Sequence, residues 1–167
     1  MDKVKTPGIR YTNTQFTFLV ILRLLVGWHL LYEGAAKFFQ DNWTSKGYLL
    51  DSQGILAEFF KNIANQPELM KIIDIANIYG LMAIGVGLML GVLTRIAAFS
   101  GIVLLSLYYL SHPPLIDVKY AMPSEGSYLF VNKNLIEILV LAIFTVFPTG
   151  RLGLDGLIFK QWTRNNG

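Results

Sequence analysis

Four ionisable side chains, Arg23, His29, Glu33 and Lys37, lie inside one apolar stretch, FTFLVILRLLVGWHLLYEGAAKFF, at residues 16–39. The stretch is long enough to cross a bilayer as a helix. An ionisable residue at membrane depth costs on the order of 2.5–3.5 kcal/mol on insertion scales, so these side chains are expected to face protein instead of lipid. Such a set could bind an anion or a carbonyl oxygen and move a proton.

The spacing of the four groups places them on one side of the predicted helix. At about 100° per residue, His29, Glu33 and Lys37 follow Arg23 at about 240°, 280° and 320°. Glu33 and Lys37 also form an i, i+4 pair in the favourable order. Two interpretations stay open: charges that only hold helices together, and a group that performs chemistry.

The composition is that of an integral membrane protein. Of 167 residues, 53% are hydrophobic and 15% are charged, well below the charged share of an average soluble domain. The basic residues are scattered singly, so the net charge of +3 does not indicate a nucleic-acid partner. The absence of cysteine excludes disulfides, thiolate metal sites and dithiol exchange. Any redox chemistry must therefore use a bound cofactor or substrate.

The apolar runs predict an all-α fold, a single-domain four-helix membrane bundle over residues 1–167. The predicted helices cover 16–39, 69–93, 95–111 and 128–147. The segment 40–68, between the first two, is predicted to be extracytoplasmic, and residues 151–167 are predicted to form a cytoplasmic tail. A short amphipathic helix is predicted between the first two, capped by Asp51 or Ser52. The first run resembles a signal peptide, but Arg23 and Glu33 interrupt it, which favours a retained transmembrane helix.

Basic residues indicate the orientation of the predicted bundle. Four crossings place both termini on one side of the membrane. The short segments on that side contain more basic than acidic residues, which is typical of the cytoplasmic side. The basic residues concerned are Lys3, Lys5, Arg10, Arg95, Arg151, Lys160 and Arg164. We therefore expect a multi-pass protein of the bacterial cytoplasmic (inner) membrane with both termini in the cytoplasm.

This topology brings residues of other helices to the level of Glu33 and Lys37. Asn134 and Glu137 begin the fourth predicted helix, and His112 ends the third. The expected result is a polar pocket near the outer face, suited to a quinone head group or a small anion.

In that pocket the charges of Arg23 and Lys37 would balance those of Glu33 and Glu137. Arg23 or Lys37 would contact the anion or carbonyl, and His29 or Glu33 would move the proton.

A metal centre is not expected. The chain has two histidines, His29 and His112, which differ in predicted depth by roughly 12 Å, too far for both to ligate one haem iron. No other spacing typical of metal ligands occurs, so neither a metal nor a haem is predicted.

Five motifs lie along the chain: LRLLVGWHLLYEGAAKFF, GLMLGVLTRIAAFSG, LYYLSHPP, VNKNLIEILVLAIF and PTGRLGLDGL. Together they resemble the DoxX family, and within it the DoxD-type small subunit of thiosulfate:quinone oxidoreductase. The resemblance extends over all four predicted helices and the tail. It implies a four-helix membrane bundle, a quinone as electron acceptor and, in the thiosulfate enzyme, a second subunit.

The residues and the resemblance together give three groups of predicted site residues. The predicted catalytic residues are His29, Glu33 and Glu137; the predicted quinone-binding residues are Arg23, Tyr32, Lys37, His112 and Asn134; and the predicted cytoplasmic motif is Arg95, Arg151 and Asp155.

Two functions of different classes follow. The first is a quinone-linked oxidoreductase subunit that receives electrons from thiosulfate or another small sulfur donor. The alternative is a non-enzymatic membrane component that binds a small molecule or lipid, or that assembles with a redox complex. The expected partners are the bilayer, a quinone and a second oxidoreductase subunit; a homo-oligomer also fits.

Overall fold

A computed structural model describes residues 12–115, 118–121, 129–147 and 153–154 of the chain. Within these residues the fold is all-helical, with no strand. The helices are α1 (Asn13–Phe39), α2 (Lys46–Leu50), α3 (Ala57–Ala64), α4 (Pro67–Leu90), α5 (Thr94–Ser111) and α6 (Lys133–Val146). Three of them, α1, α4 and α5, are long and apolar enough to cross a membrane. The described part of α6 has 14 residues, about 20 Å of helix.

Helix α1 begins earlier than predicted because the polar residues before the apolar run form a capping box. The Thr12 hydroxyl accepts from the Gln15 backbone N–H at 3.2 Å, and the Gln15 side chain accepts from the Thr12 N–H at 3.0 Å. These two bonds satisfy amide donors that have no partner inside a helix. The helix therefore starts at Asn13, ahead of the predicted residue 16.

Helices α4 and α5 form an antiparallel hairpin. Helix α4 ends at Leu90, before the predicted residue 93, because Gly91 has a left-handed backbone with φ 66°. The Val92 N–H donates to the Gly87 carbonyl at 2.9 Å, which completes a Schellman motif. Only residues 91–93 separate α4 from α5, so the corner between the two helices is tight.

The segment between α1 and α4 contains two helices, α2 and α3, where the sequence predicts one. Asp51 lies at the end of α2 and Ser52 is buried against Ser111, so neither caps a following helix. Gly54, with φ 86°, turns the chain before α3 begins. Helix α3 then buries Phe60 in a small core shared with α2 and α4.

Helix α6 begins at Lys133, later than the predicted residue 128. The Asn132 side chain accepts from the Leu135 N–H at 3.0 Å and so caps the helix. Leu129 has a left-handed backbone with φ 67°, which is incompatible with helix at that position. The predicted start lies in 122–128, outside the described residues.

Close backbone contact joins α1 to α4. A Cβ atom built on Gly85 would lie 2.5 Å from the Leu31 nitrogen and 2.7 Å from the Gly27 oxygen, so only glycine fits there. Small residues allow this close approach between membrane helices. Such packing matters there because the hydrophobic effect does not drive helices together inside a bilayer. Helix α5 packs along α6, whereas α1 and α6 touch much less.

The helices define two ends and a core between them. We call the end with α2, α3 and the start of α6 the loop end, and the end with residues 91–94 the hairpin end. The main core consists of Val26, Leu30, Leu81, Ile84, Leu88, Ala97, Ala98, Leu105, Leu141 and Phe144. Its α1 and α6 members lie level with, or on the hairpin side of, the polar groups described next.

Candidate functional site

A histidine and a carboxylate connect α1 to α6. His29 Nδ1 lies 2.6 Å from Glu137 Oε1, close enough for an ion pair when the imidazole is protonated, but the two atoms do not have the geometry of a hydrogen bond. The other carboxylate oxygen, Glu137 Oε2, is buried and has no hydrogen-bond partner among the described residues. The pair lies one turn into α6, where the Asn132 cap fixes the direction of the helix.

The second nitrogen of His29 faces two groups of opposite charge. Its Nε2 lies 3.5 Å from Lys133 Nζ and 3.7 Å from Glu33 Oε1. Lys133 and Glu33 are themselves 3.8 Å apart, with 44% and 41% of their side chains exposed. When Nε2 carries no proton it can accept from the Lys133 ammonium, and when protonated it can donate toward Glu33.

Lys37 connects α1 to α4 and α5. Its Nζ donates to Asn77 Oδ1 at 3.2 Å and to the Tyr108 hydroxyl at 3.4 Å. Glu33 Oε2 lies 3.7 Å away on the other side. The ammonium also lies 5.4 Å from the centroid of the Trp43 ring, within cation–π range. Lys37 is therefore held by α4, by α5 and by Trp43 in the loop after α1, as well as by Glu33 of its own helix.

These five side chains form a continuous set, which we call the charge cluster: His29, Glu33, Lys37, Lys133 and Glu137. Two carboxylates face two ammonium groups, with the imidazole between them. Charges that are paired and hydrogen-bonded in this way can be tolerated within a bundle. An imidazole in contact with both a carboxylate and an ammonium group is suited to accepting and releasing a proton.

The structure places Arg23 away from this cluster. Arg23 is 2% exposed and lies ten residues before Glu33, about 15 Å along the helix. A Cβ on Gly91 would lie 2.9 Å from Arg23 Nη1, so the guanidinium lies against the C-terminus of α4. A cation is favourable there because the helix dipole is negative at that end. The predicted balance of Arg23 and Lys37 against two glutamates is thus replaced by a balance in which Lys133 is the second cation.

His112 also lies in a different environment. It follows the last residue of α5, and its ring stacks on Tyr48 at 3.8 Å and against Tyr120 at 4.5 Å between centroids. Its Nε2 is 3.7 Å from Asp51 Oδ2, and Ser111 Oγ is 3.1 Å from its Nδ1. Burial lowers the pKa of His112, and the nearby Asp51 carboxylate offsets this only in part.

The other predicted residues are distributed as follows. Tyr32 is largely exposed on α1, with its ring 6.4 Å from that of Trp28. Asn134 is half-buried in the first turn of α6, and no hydrogen bond joins it to the cluster within the described chain. Arg95 is exposed in the first turn of α5, at the hairpin end. Arg151 and Asp155 lie outside the described residues.

The structure adds Lys133, Asn77 and Tyr108 to the candidate residues. Lys133 lies inside the Asn-Lys-Asn motif, from which the sequence predicts Asn134 as the binding residue. Asn77 is the amide in the uncharged run 75–93 and is buried, which is a signal of a specific partner. Tyr108 lies near the end of an apolar run, and its contact with Lys37 has no sequence signal.

The cluster does not match a metal site. Among the described residues, no group of three or more histidine, aspartate or glutamate side chains could hold a metal ion.

Comparison with known protein families gives one match. The DoxX family model matches residues 18–112, more than half of the 167 residues. The chain belongs to the DoxX family. The segment matched to DoxX contains His29, Glu33 and Lys37, whereas Lys133 and Glu137 lie beyond it. A search of curated proteins and a search of solved structures each found no match.

Proposed function

We propose that this DoxX membrane protein binds a quinone head group between α1 and α6 and exchanges protons with it, as a subunit of an oxidoreductase. The resemblance to the DoxD-type subunit suggests a small reduced sulfur anion such as thiosulfate as the electron donor. In this proposal α6 is a fourth crossing, and the loop end faces away from the cytoplasm. A second subunit or a second copy of the chain completes the enzyme.

The observation that carries the proposal is the environment of Glu137. One of its oxygens is 2.6 Å from His29 Nδ1, while the other is buried and has no partner among the described residues. A buried polar atom without a partner is costly, and a bound hydroxyl would satisfy it. The hydroxyl of a quinol could donate to this oxygen. A protonated Glu137 could in turn donate to the carbonyl of a quinone.

The position of the cluster suits a ligand that arrives from the bilayer. Helices α1 and α6 touch little except through these charged side chains. Exposed apolar side chains flank the cluster on both helices, among them Leu25 and Ile136. A polar site with apolar borders fits an amphiphile whose head group is polar and whose tail remains in lipid.

The proposed chemistry requires two electrons and two protons for each quinone reduced to quinol. The sulfur donor supplies the electrons. His29 and Glu137 supply the protons at the quinone oxygens, since they are the base and the acid that meet at the contact of α1 with α6, where the Glu137 side chain is 13% exposed. Lys37, held by Asn77 and Tyr108, stabilises the negative charge that develops on the reduced ring.

The non-enzymatic alternative is favoured by a different feature, the mutual pairing of the charges. Glu33 pairs with Lys37 and Lys133, and His29 pairs with Glu137. Groups paired in this way could simply hold α6 to α1 in a binding or assembly protein.

Two measurements distinguish these functions. The protein, purified in mild detergent or nanodiscs, is extracted with organic solvent and the extract is analysed for quinones. The same preparation, reconstituted in liposomes with a soluble quinone analogue, is then assayed for thiosulfate-dependent reduction. A stoichiometric quinone and measurable reduction would support the enzyme. A folded protein that holds no quinone, binds no analogue and reduces none would favour the alternative.

A further inference from the structure

Two members of the charge cluster, Glu33 and Lys133, are more exposed than Glu137, whereas Lys37, one turn beyond Glu33 on α1, is 18% exposed. The Glu137 side chain is 13% exposed, whereas those of Glu33 and Lys133 are 41% and 44% exposed. Lys133 is the first residue of α6, and Glu33 lies about 9 Å from the end of α1 at Phe39. Both half-exposed groups are therefore close to the aqueous phase at the loop end.

The two nitrogens of His29 connect the buried and the exposed parts. Nδ1 contacts the buried Glu137, and Nε2 faces Glu33 and Lys133. An imidazole can take a proton at one nitrogen and release one from the other. Because Nε2 has both a carboxylate and an ammonium neighbour, each protonation state of this nitrogen has a suitable contact.

Toward the hairpin end the structure is apolar. One turn from His29 is Val26, one turn from Glu137 is Leu141, and Phe144 follows, all buried in the main core. Beyond them on α1, the next ionisable side chain is Arg23. A guanidinium stays protonated in proteins, so Arg23 cannot relay protons through this core.

From this arrangement we infer that His29 and Glu137 exchange protons with the aqueous phase at the loop end alone, through Glu33 and Lys133, and that the core closes the hairpin side. The inference rests on the proposed function only for its use: the protons delivered to a quinone would come from the loop-end side. Basic residues are concentrated in the segments of the opposite side, so the sequence predicts that the loop end is extracytoplasmic.

The first test uses cysteine accessibility, which is clean because the chain has no cysteine. Glu33→Cys and Lys133→Cys are treated with a membrane-impermeant thiol reagent in right-side-out and in inside-out membrane vesicles. Glu68→Cys, fully exposed at the start of α4, marks the loop end, and Arg95→Cys marks the hairpin end. We expect both test positions to react from the side of the Glu68→Cys marker. Reaction from the Arg95→Cys side, from both sides or from neither would overturn the inference.

The second test follows the proton itself. In a His112→Asn variant labelled with ¹⁵N-histidine, His29 is the single labelled residue. The variant is reconstituted in liposomes, and the fraction with an outward loop end is measured by labelling a Glu68→Cys copy. The external pH is then stepped with an impermeant buffer across the range in which the His29 signal moves with equal pH on both sides. The responding fraction should equal the outward loop-end fraction.

Neither measurement contains a quinone, so failure of the inference is distinct from failure of the proposed function. A response of the whole population, or of the complementary fraction, would place the access route elsewhere. A His29 signal that does not move at any equal pH on both sides would also overturn the inference, because no exchange would then take place.

Discussion

His29 on α1 and Glu137 on α6 meet at 2.6 Å, on a side of the molecule where the two helix backbones otherwise touch little. Helix α1 is anchored on α4 through glycines, and α6 is anchored on α5 through the main core. The contact between α1 and α6 therefore depends on charged side chains. Substitutions in this contact should change the chemistry of the site more than the folding of the two helix pairs.

Glu137→Gln should lower quinone reduction by about a hundredfold or more. The amide keeps the shape of the side chain but cannot carry the proton, and a positioned acid or base contributes about 10²–10⁴-fold to a rate. The rate is measured in liposomes, together with the melting temperature in detergent. The matched control is Glu68→Gln, since Glu68 is exposed at the loop end and pairs with Lys71. Equal rates for the two variants would contradict a catalytic role for Glu137.

Gly85→Ala should destabilise the protein. The added Cβ would lie 2.5 Å from the Leu31 nitrogen, so α1 and α4 must separate, and overpacking of this kind costs about 1–3 kcal/mol. Gly80→Ala, in the same helix, is the matched control because nothing lies within 4 Å of its added Cβ. It should leave stability unchanged or raise it slightly, since alanine favours helix. Thermal unfolding in detergent compares the two, and a lower melting temperature for Gly80→Ala than for Gly85→Ala would refute the proposed contact.

Arg23→Ala should reduce stability without removing the proposed quinone site. The side chain is among the largest that are fully buried, and large-to-small substitutions in a core cost about 2–5 kcal/mol. Arg95→Ala, which removes an exposed arginine at the same end, should cost far less. Both variants are assayed for unfolding and for affinity toward a quinone analogue under conditions in which they remain folded. Selective loss of affinity in Arg23→Ala would return this residue to the quinone contact predicted from sequence.

Protonation of His112 should lower the free energy of unfolding as the pH falls. Its folded pKa lies below the ordinary value because of burial, so between about pH 6.5 and that lower pKa the unfolded chain binds more protons than the folded one. The contribution is thus complete above about pH 6.5 and is lost as the pH falls, by at most about 1.4 kcal/mol per pH unit for one proton. The slope of melting temperature against pH should be smaller in His112→Asn. An unchanged slope would show that other groups cause the acid sensitivity.

The long helices could be predicted from sequence because apolar length and local caps determine them. The starts of α1 and α6 differ from the prediction for reasons that are also local, because the Thr12 capping box and the Asn132 cap determine where these helices begin. The division of the 40–66 segment into α2 and α3 had a weaker signal. It depends on Gly54 adopting φ 86° and on the burial of Ser52 against Ser111, which is a tertiary contact.

The charge cluster could be predicted in part. Helical spacing is enough to place His29, Glu33 and Lys37 together, because they share one element. Contacts between helices depend on rotation about each axis, which periodicity does not determine when all sides are apolar. Periodicity therefore does not distinguish Lys133, which contacts Glu33 and His29, from its neighbour Asn134. Arg23 shares a side of α1 with the cluster residues of that helix but lies about 15 Å along the helix from Glu33, which places it against the end of α4.

Two helix pairs joined at one hairpin and closed on the other side by charges form a seam whose strength depends on the medium. Apolar contacts such as those of α1 with α4 are insensitive to salt, whereas ion pairs at half-exposed positions weaken as ionic strength rises. Lipid head groups bear phosphate and ammonium charges, which can compete with the carboxylate and ammonium groups of the seam. The lipid composition of a membrane would therefore govern how readily α1 and α6 separate on this side of the protein to bind a ligand.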